Sequence, residues 1–140
     1  MRIVVDTNVF VGACIGRGPA SKVIEACLLG VAEPLLSASL LFEYRDVIAR
    51  NEIFQRARLD FESRLDLLEI FVGRANWRYV HFKWRPNLRD ESDNHLMELA
   101  VAGNADVIVT ENLRDFIAQD LKFPHIKIMS PRSFTELVRS

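Results

Sequence analysis

Ile3-Val4-Val5 gives way abruptly to Asp6-Thr7-Asn8. Three successive β-branched apolar residues suit a strand buried on both faces, as the central strands of parallel sheets are. The run stops on an acid, which places a carboxylate at the carboxyl end of that strand. Val107-Ile108-Val109 repeats the pattern and stops on Thr110. Residues 34–36 and Ile126 to Met129 are further short strand candidates, and the aromatic-rich stretch from Trp77 to Phe82 is another.

Helical spacing fills the intervals. Val23, Ile24, Cys27 and Leu28 follow it from Ser21, with Gly30 as a stop; Leu40, Leu41, Tyr44, Val47 and Ile48 follow it after Ser37, a plausible cap. Residues 60–72 show the same pattern through Phe61, Leu65, Leu68 and Val72. Another helix is predicted from Ser92-Asp93 through Leu96, Leu99 and Ala100 to Gly103, read as a left-handed cap. Ser130-Pro131 opens a last one, with proline at the first helical position. Residues 12–18, with three glycines, read as a loop. This alternation argues for a three-layer α/β/α fold around a central parallel sheet. No repeat, low-complexity tract or linker interrupts it, so residues 1–140 are expected to form one domain.

The 140 residues are 49% hydrophobic and 26% charged, with a formal net charge of -1. That apolar content at so small a net charge excludes a disordered chain. The near-neutral balance excludes a binder that relies on bulk positive charge to hold nucleic acid. Cys14 and Cys27 are too few for a disulfide framework and lack metal-ligand spacing, and Cys27 is expected as a buried small hydrophobe. The apolar run before Asp6 is too short for a signal peptide, and no stretch approaches the ~20 apolar residues of a membrane helix. A soluble protein of the reducing cytoplasm is expected.

Chemistry enters through acids set against apolar runs. In open α/β sheets ligands bind beyond the carboxyl ends of strands, and Asp6, Asp93 and Asp115 fall near that edge. Taken singly, Asp6 reads equally well as a turn former, and Asp93 as the complement of a helix dipole. Glu43 lies about a turn from both Leu40 and Val47, on or beside the apolar stripe. A carboxylate there is costly unless paired or metal-bound; a place at the stripe's exposed edge is the alternative. Gathered together, carboxylates raise one another's pKa, and a divalent cation relieves the repulsion. Oxygen-only donors suit Mg2+ or Mn2+, which activate water and stabilise charge at phosphorus.

Residues 74–89 contain Arg74, Arg78, Lys83, Arg85 and Arg89 and no acid, with Trp77, Tyr79, Phe82 and Trp84 interleaved. Basic groups beside aromatic rings are what single-strand binding requires. Core packing is the stronger reading for Trp77 and Tyr79, whereas Lys83, Arg85 and Arg89 lead toward Asp93 and read at least as well as candidates for binding a single-stranded nucleic acid as they do as a solvated face. His81, His95 and His125 share no metal-ligand spacing, so base catalysis by histidine is not expected and His95 is placed on the surface.

Asp6-Thr7-Asn8-Val9 at the end of a hydrophobic strand resembles the opening motif of PIN-domain ribonucleases. Glu43, in Leu41-Phe42-Glu43-Tyr44, sits where that family carries its helical glutamate. Asp90-Glu91-Ser92-Asp93-Asn94 resembles the segment around its third acid, with Asp93 in the matching place. Val107-Ile108-Val109-Thr110 followed by Glu111-Asn112-Leu113-Arg114-Asp115-Phe116 resembles its final motif, and Ser130-Pro131-Arg132-Ser133-Phe134 its closing junction. The motifs run in order over essentially the whole chain. The resemblance implies a ribonuclease cutting single-stranded RNA to 5′-phosphate and 3′-hydroxyl ends, with Asp6, Glu43, Asp93 and Asp115 as catalytic metal ligands for Mg2+ or Mn2+. Thr7, Asn8 and Thr110 then orient ligands and water, and Asn94 either does likewise or is an ordinary residue of the first helical turn. Many small members, the VapC-like ones among them, are toxins of toxin–antitoxin pairs, which implies an antitoxin partner and a homodimer.

One departure stands out. Many relatives carry an acid where this chain has Asn112, and the fourth ligand is open between Asp115 and Asn112 acting through water. The substitution keeps a rival reading alive, a catalytically silent module of the same fold that binds RNA or protein. Other phosphate-handling α/β enzymes fit poorly: Asn8 stands where a phosphoaspartyl phosphatase needs a second aspartate, and Gly12, Gly16 and Gly18 precede no Gly-Lys-Ser/Thr ending.

Overall fold

Strands β1 (Arg2–Val5), β2 (Glu33–Leu36), β3 (Asn76–Trp77), β4 (Val107–Val109) and β5 (Lys127–Met129) form one sheet in the order β3-β2-β1-β4-β5, parallel throughout. The computed structural model describes residues 1–80, 91–117, 123 and 125–139, with 91–94 and 117 described in backbone alone. From β1 the chain builds the sheet outward through β2 and β3, then returns to the other side of β1 for β4 and β5. The order therefore reverses between β1 and β4, and a crevice at such a switch point is where open α/β sheets bind ligands. Ile3, Val4 and Val5 pair with Val107, Ile108 and Val109, and all but Val107 of these six are fully buried. Seven helices among the described residues flank the sheet and complete the three-layer α/β/α fold expected from the sequence.

Helix α1 (Thr7–Ile15) replaces much of the loop expected over 12–18. Gly12 serves packing there: a Cβ on it would lie 3.0 Å from that of Ala20, so its absence lets α1 approach α2 (Pro19–Leu28). Ser37 caps α3 (Ala38–Ile48), its Oγ accepting the Leu40 N–H at 3.2 Å. Helix α5 (Glu91–Ala102) buries Leu96, Leu99 and Ala100 as the spacing predicts. The left-handed residue after it is Asn104 at φ 53°, not Gly103. Gly103 instead makes room for the sheet, since a Cβ there would meet Leu35 Cδ1 at 2.6 Å. After the short α6 (Leu113–Ile117), α7 (Pro131–Arg139) starts where expected, with Ser130 Oγ accepting the Ser133 N–H.

The aromatic stretch departs from expectation. Among its described residues only Asn76–Trp77 forms a strand, and it lies at the edge of the described sheet; the next N–H, from Arg78, donates to Leu36 and the pairing ends. Trp77 is 40% exposed and Tyr79 73%, so neither belongs to the core. His81 and Phe82 lie outside the described residues. Both cysteines are buried, and burial pushes the Cys14 thiol up to about 11 and the Cys27 thiol to about 12. Among the described residues no helix is long and apolar enough to cross a membrane.

Phe10 of α1, Tyr44 of α3 and Phe71 of α4 (Phe61–Gly73) pack against one another, one pair tilted and two edge-on, with ring centroids 5.4–5.7 Å apart. This cluster seats α3 against β1. The buried face of α4 is not quite the predicted one: Arg64, Leu68 and Phe71 point inward while Phe61 is exposed and Leu65 and Val72 are half-buried. Arg64 draws the helix round. Its guanidinium donates to Ile48 O at the end of α3 (3.0 Å), to Leu59 O (3.2 Å) and to Asn51 Oδ1 (2.9 Å), and stacks 4.0 Å over the Phe54 ring. A cation bonded to the last carbonyls of a helix also complements its dipole. Arg64→Ala is expected to lower the unfolding free energy by about 3 kcal/mol, because buried acceptors lose a charged donor. Arg64→Lys recovers only part, since an ammonium does not span three separated acceptors. Urea denaturation checks this, and a loss below about 1 kcal/mol for the alanine variant contradicts the anchoring role.

Candidate active site

Asp6 leaves β1 and caps α1, so the strand end and the helix start fix the same residue. Its Oδ1 accepts the Thr7 N–H at 2.7 Å. Its Oδ2 accepts the Thr110 hydroxyl at 2.7 Å and the Asn8 amide at 3.3 Å. Thr110 occupies the matching place at the end of β4. Because Thr110 Oγ1 accepts the Asn112 N–H at 3.0 Å, the hydroxyl proton is left to point at Asp6. Asn8 Oδ1 in turn accepts the Glu111 N–H at 3.2 Å and ties α1 to the turn after β4.

Glu43 arrives from α3. Its neighbour Tyr44 donates its phenol to the carbonyl of Val5, the last residue of β1, which sets the depth of the helix against the sheet. Burial pushes the Tyr44 phenol well above its ordinary value, so it stays a donor. Glu43 Oε1 accepts the Thr7 hydroxyl, and Oε2 accepts the His95 Nε2–H. Thr7 thereby serves both acids, one through its N–H and the other through its hydroxyl. Glu43 is half-buried, at the edge of the stripe.

Asp6 is only 5% exposed, and among the described residues no lysine or arginine bonds to it. Burial raises its carboxyl above the ordinary carboxylate value. The Thr110 hydroxyl and Thr7 N–H oppose the rise, the Glu43 charge adds to it, and His95 opposes it.

The remaining predicted residues divide by position. Asp93 and Asn94 fall in the first turn of α5, and their side chains lie outside the described residues. Asp115, on α6, is half-buried, with its N–H bonded to Asn112 O. Asn112 is exposed and meets the site through its backbone N–H. Lys83, Arg85 and Arg89 lie outside the described residues. His95 corrects the sequence reading: it is half-buried against Glu43 rather than on open surface. Local sequence carries no signal for it, because the contact spans 52 residues.

Among the described residues no group of three or more His, Cys, Asp or Glu side chains is arranged to hold a metal ion. Asp6 and Glu43 nevertheless suit one chemically. Two neighbouring carboxylates, one buried without a basic partner among the described residues, supply hard oxygen donors. Asp6 Oδ1 accepts the Thr7 N–H through one lone pair, and its second is suited to an ion.

The raised Asp6 pKa has a signed consequence for stability. The fold favours the neutral carboxyl, so the destabilisation is absent below the unfolded pKa of about 4 and complete above the folded one. Asp6→Asn keeps the shape and removes the charge. In EDTA near neutral pH the variant is expected to melt above the wild type, with the gap closing as pH falls through the carboxylate range. Melting curves against pH check this, and an asparagine variant that melts lower at neutral pH refutes it.

A family model described as PIN domain matches residues 2–114. No curated protein matches the chain. Among solved structures, VapBC2 from Rickettsia felis, bound to a DNA fragment from their promoter, superposes with a TM-score of 0.62 at 19% identity, covering 93% of this chain and 98% of that one. At that identity the likeness speaks for the fold, while the family match spans β1 to the start of α6 and takes in Asp6, Glu43, Asp93 and Thr110. The chain belongs to the PIN domain family.

Proposed function

We propose that this chain is a metal-dependent endoribonuclease that hydrolyses phosphodiester bonds of single-stranded RNA, residues 1–140 acting as one PIN-like unit. The observation that carries the reading is the buried Asp6 carboxylate, set beside Glu43 at the sheet's switch point with no lysine or arginine on it among the described residues. In this reading Asp6, Glu43, Asp93 and Asp115 hold Mg2+ or Mn2+. The ion supplies activation of water and neutralisation of charge at phosphorus. The chain's own residues hold the geometry. Thr110 fixes Asp6 Oδ2, Thr7 joins the two carboxylates, and Asn8 secures the turn that carries Asn112 and leads to Asp115.

Lys83, Arg85 and Arg89 are proposed to track the RNA phosphates. The exposed rings of Trp77 and Tyr79, 6.2 Å apart, support base stacking beside them. We further propose a VapC-like role, with an antitoxin protein as partner and a homodimer as the assembly. Exposed Phe42 beside Trp77 offers apolar surface for such contacts.

The test is cleavage of a generic single-stranded RNA with Mg2+ or Mn2+ against EDTA. Cutting is expected with either ion and none in EDTA, with Asp6→Asn and Glu43→Gln below about 1% of wild type. Thr110→Val, which releases Asp6, is expected to lose about 10- to 100-fold. Absence of both cutting and metal binding in the wild type points instead to a silent binding module.

A further inference from the structure

His95 is the polar side chain of the site to which the reading above gives no task. Its backbone is fixed by the core, since Leu96, Met97, Leu99 and Ala100 of the same helix are all buried. Its Nε2–H donates to Glu43 Oε2, while Nδ1 is buried without a hydrogen-bond partner among the described residues. The ring is thus oriented by Glu43 on one side and by packing on the other. The Glu43 side chain is 37% exposed, on a long stem with several rotamers, and the Thr7 hydroxyl reaches Oε1 rather than Oε2. His95 supplies a donor on Oε2 from α5, so the two hydrogen bonds hold the two oxygens from different elements.

We propose that His95 is a positioning residue: with Thr7 it clamps both oxygens of Glu43 and keeps that carboxylate beside Asp6, preorganised for a divalent cation. The inference rests on the metal-site reading and adds to it a residue from α5 that acts through Glu43. Partners that orient a ligating carboxylate typically change metal affinity by about 10- to 100-fold when lost. Thr7 and His95 approach Glu43 from different elements, α1 and α5, so the clamp also ties metal affinity to the packing of α5.

The experiment is calorimetric titration of Mn2+ into the full chain as wild type, His95→Ala, His95→Asn, His95→Gln and Asp6→Asn, with melting curves in EDTA showing which variants are folded. Glutamine places an N–H donor at the reach of Nε2, whereas asparagine falls short. His95→Ala and His95→Asn are expected to bind Mn2+ about 10- to 100-fold more weakly, with His95→Gln restoring most of the loss. Affinity that is unchanged or tighter in the alanine and asparagine variants overturns the clamp and leaves the metal site standing. Glutamine as weak as asparagine also overturns it, because a packing role then suffices. A wild type that binds no Mn2+ overturns the metal-site reading and the clamp with it. Should the alanine variant fail to fold, the asparagine and glutamine pair decides.

Discussion

The parallel pairing of β1 with β4 is the constraint on which the rest of this molecule depends. Its register sets Val5 beside Val109, so the next residues, Asp6 and Thr110, emerge together at the sheet edge. A shift of one residue would turn every side chain of the strand to the other face. It would also draw Arg2 or Asp6 into a stretch where Ile3, Val4 and Val5 are all fully buried, at the cost of desolvating a charge. The hydroxyl-to-carboxylate bond between Thr110 and Asp6 is therefore a consequence of core packing, and it survives as long as the core does.

Glu43 depends on a second set of contacts, reached through α3. The Tyr44 phenol on the Val5 carbonyl ties this helix to the same strand end that delivers Asp6. Phe10 and Phe71 wedge Tyr44 from α1 and α4, and Arg64 closes the far end of α3. Thr7 then bridges the two acids over a rigid base. Sites built on such elements hold side chains more closely than sites built on loops.

Much of this was legible in the sequence. Ile3–Val5 and Val107–Val109 are short, β-branched and uninterrupted, as buried parallel strands are. The caps at Ser37 and Ser130 carry their own local chemistry. What misled were residues whose role is set by a distant neighbour. Gly12 and Gly103 look like punctuation, yet each is small because Ala20 or Leu35 lies against it. Trp77 and Tyr79 look like core, yet they stand at and just beyond an edge strand that ends after two residues. Arg64 interrupts an apolar stripe and is buried all the same, because three acceptors from other segments meet it. At the site the same division holds: Asp6, Thr7 and Thr110 follow from strand ends, whereas the contact of His95 with Glu43 exists only once α3 and α5 have packed.

The choice of donors around Asp6 bears on what the site is for. A buried carboxylate can be satisfied by a lysine or arginine, which cancels its charge and fixes it as structure. Here the described donors to Asp6 are two threonine groups and one asparagine amide, which define the direction of each oxygen and leave the charge in place. Glu43, close enough to raise the Asp6 pKa, adds to the conflict rather than relieving it. Elsewhere the described strands are apolar and Arg64 is satisfied, while Glu98 is buried at 3% exposure and Arg78 Nε is buried with no hydrogen-bond partner among the described residues. A charge held by directed hydrogen bonds, with no lysine or arginine on it among the described residues, is a local violation of the kind expected where function overrides stability. Its geometry is fixed and no lysine or arginine among the described residues meets its charge, and that combination is what the proposed divalent cation would answer.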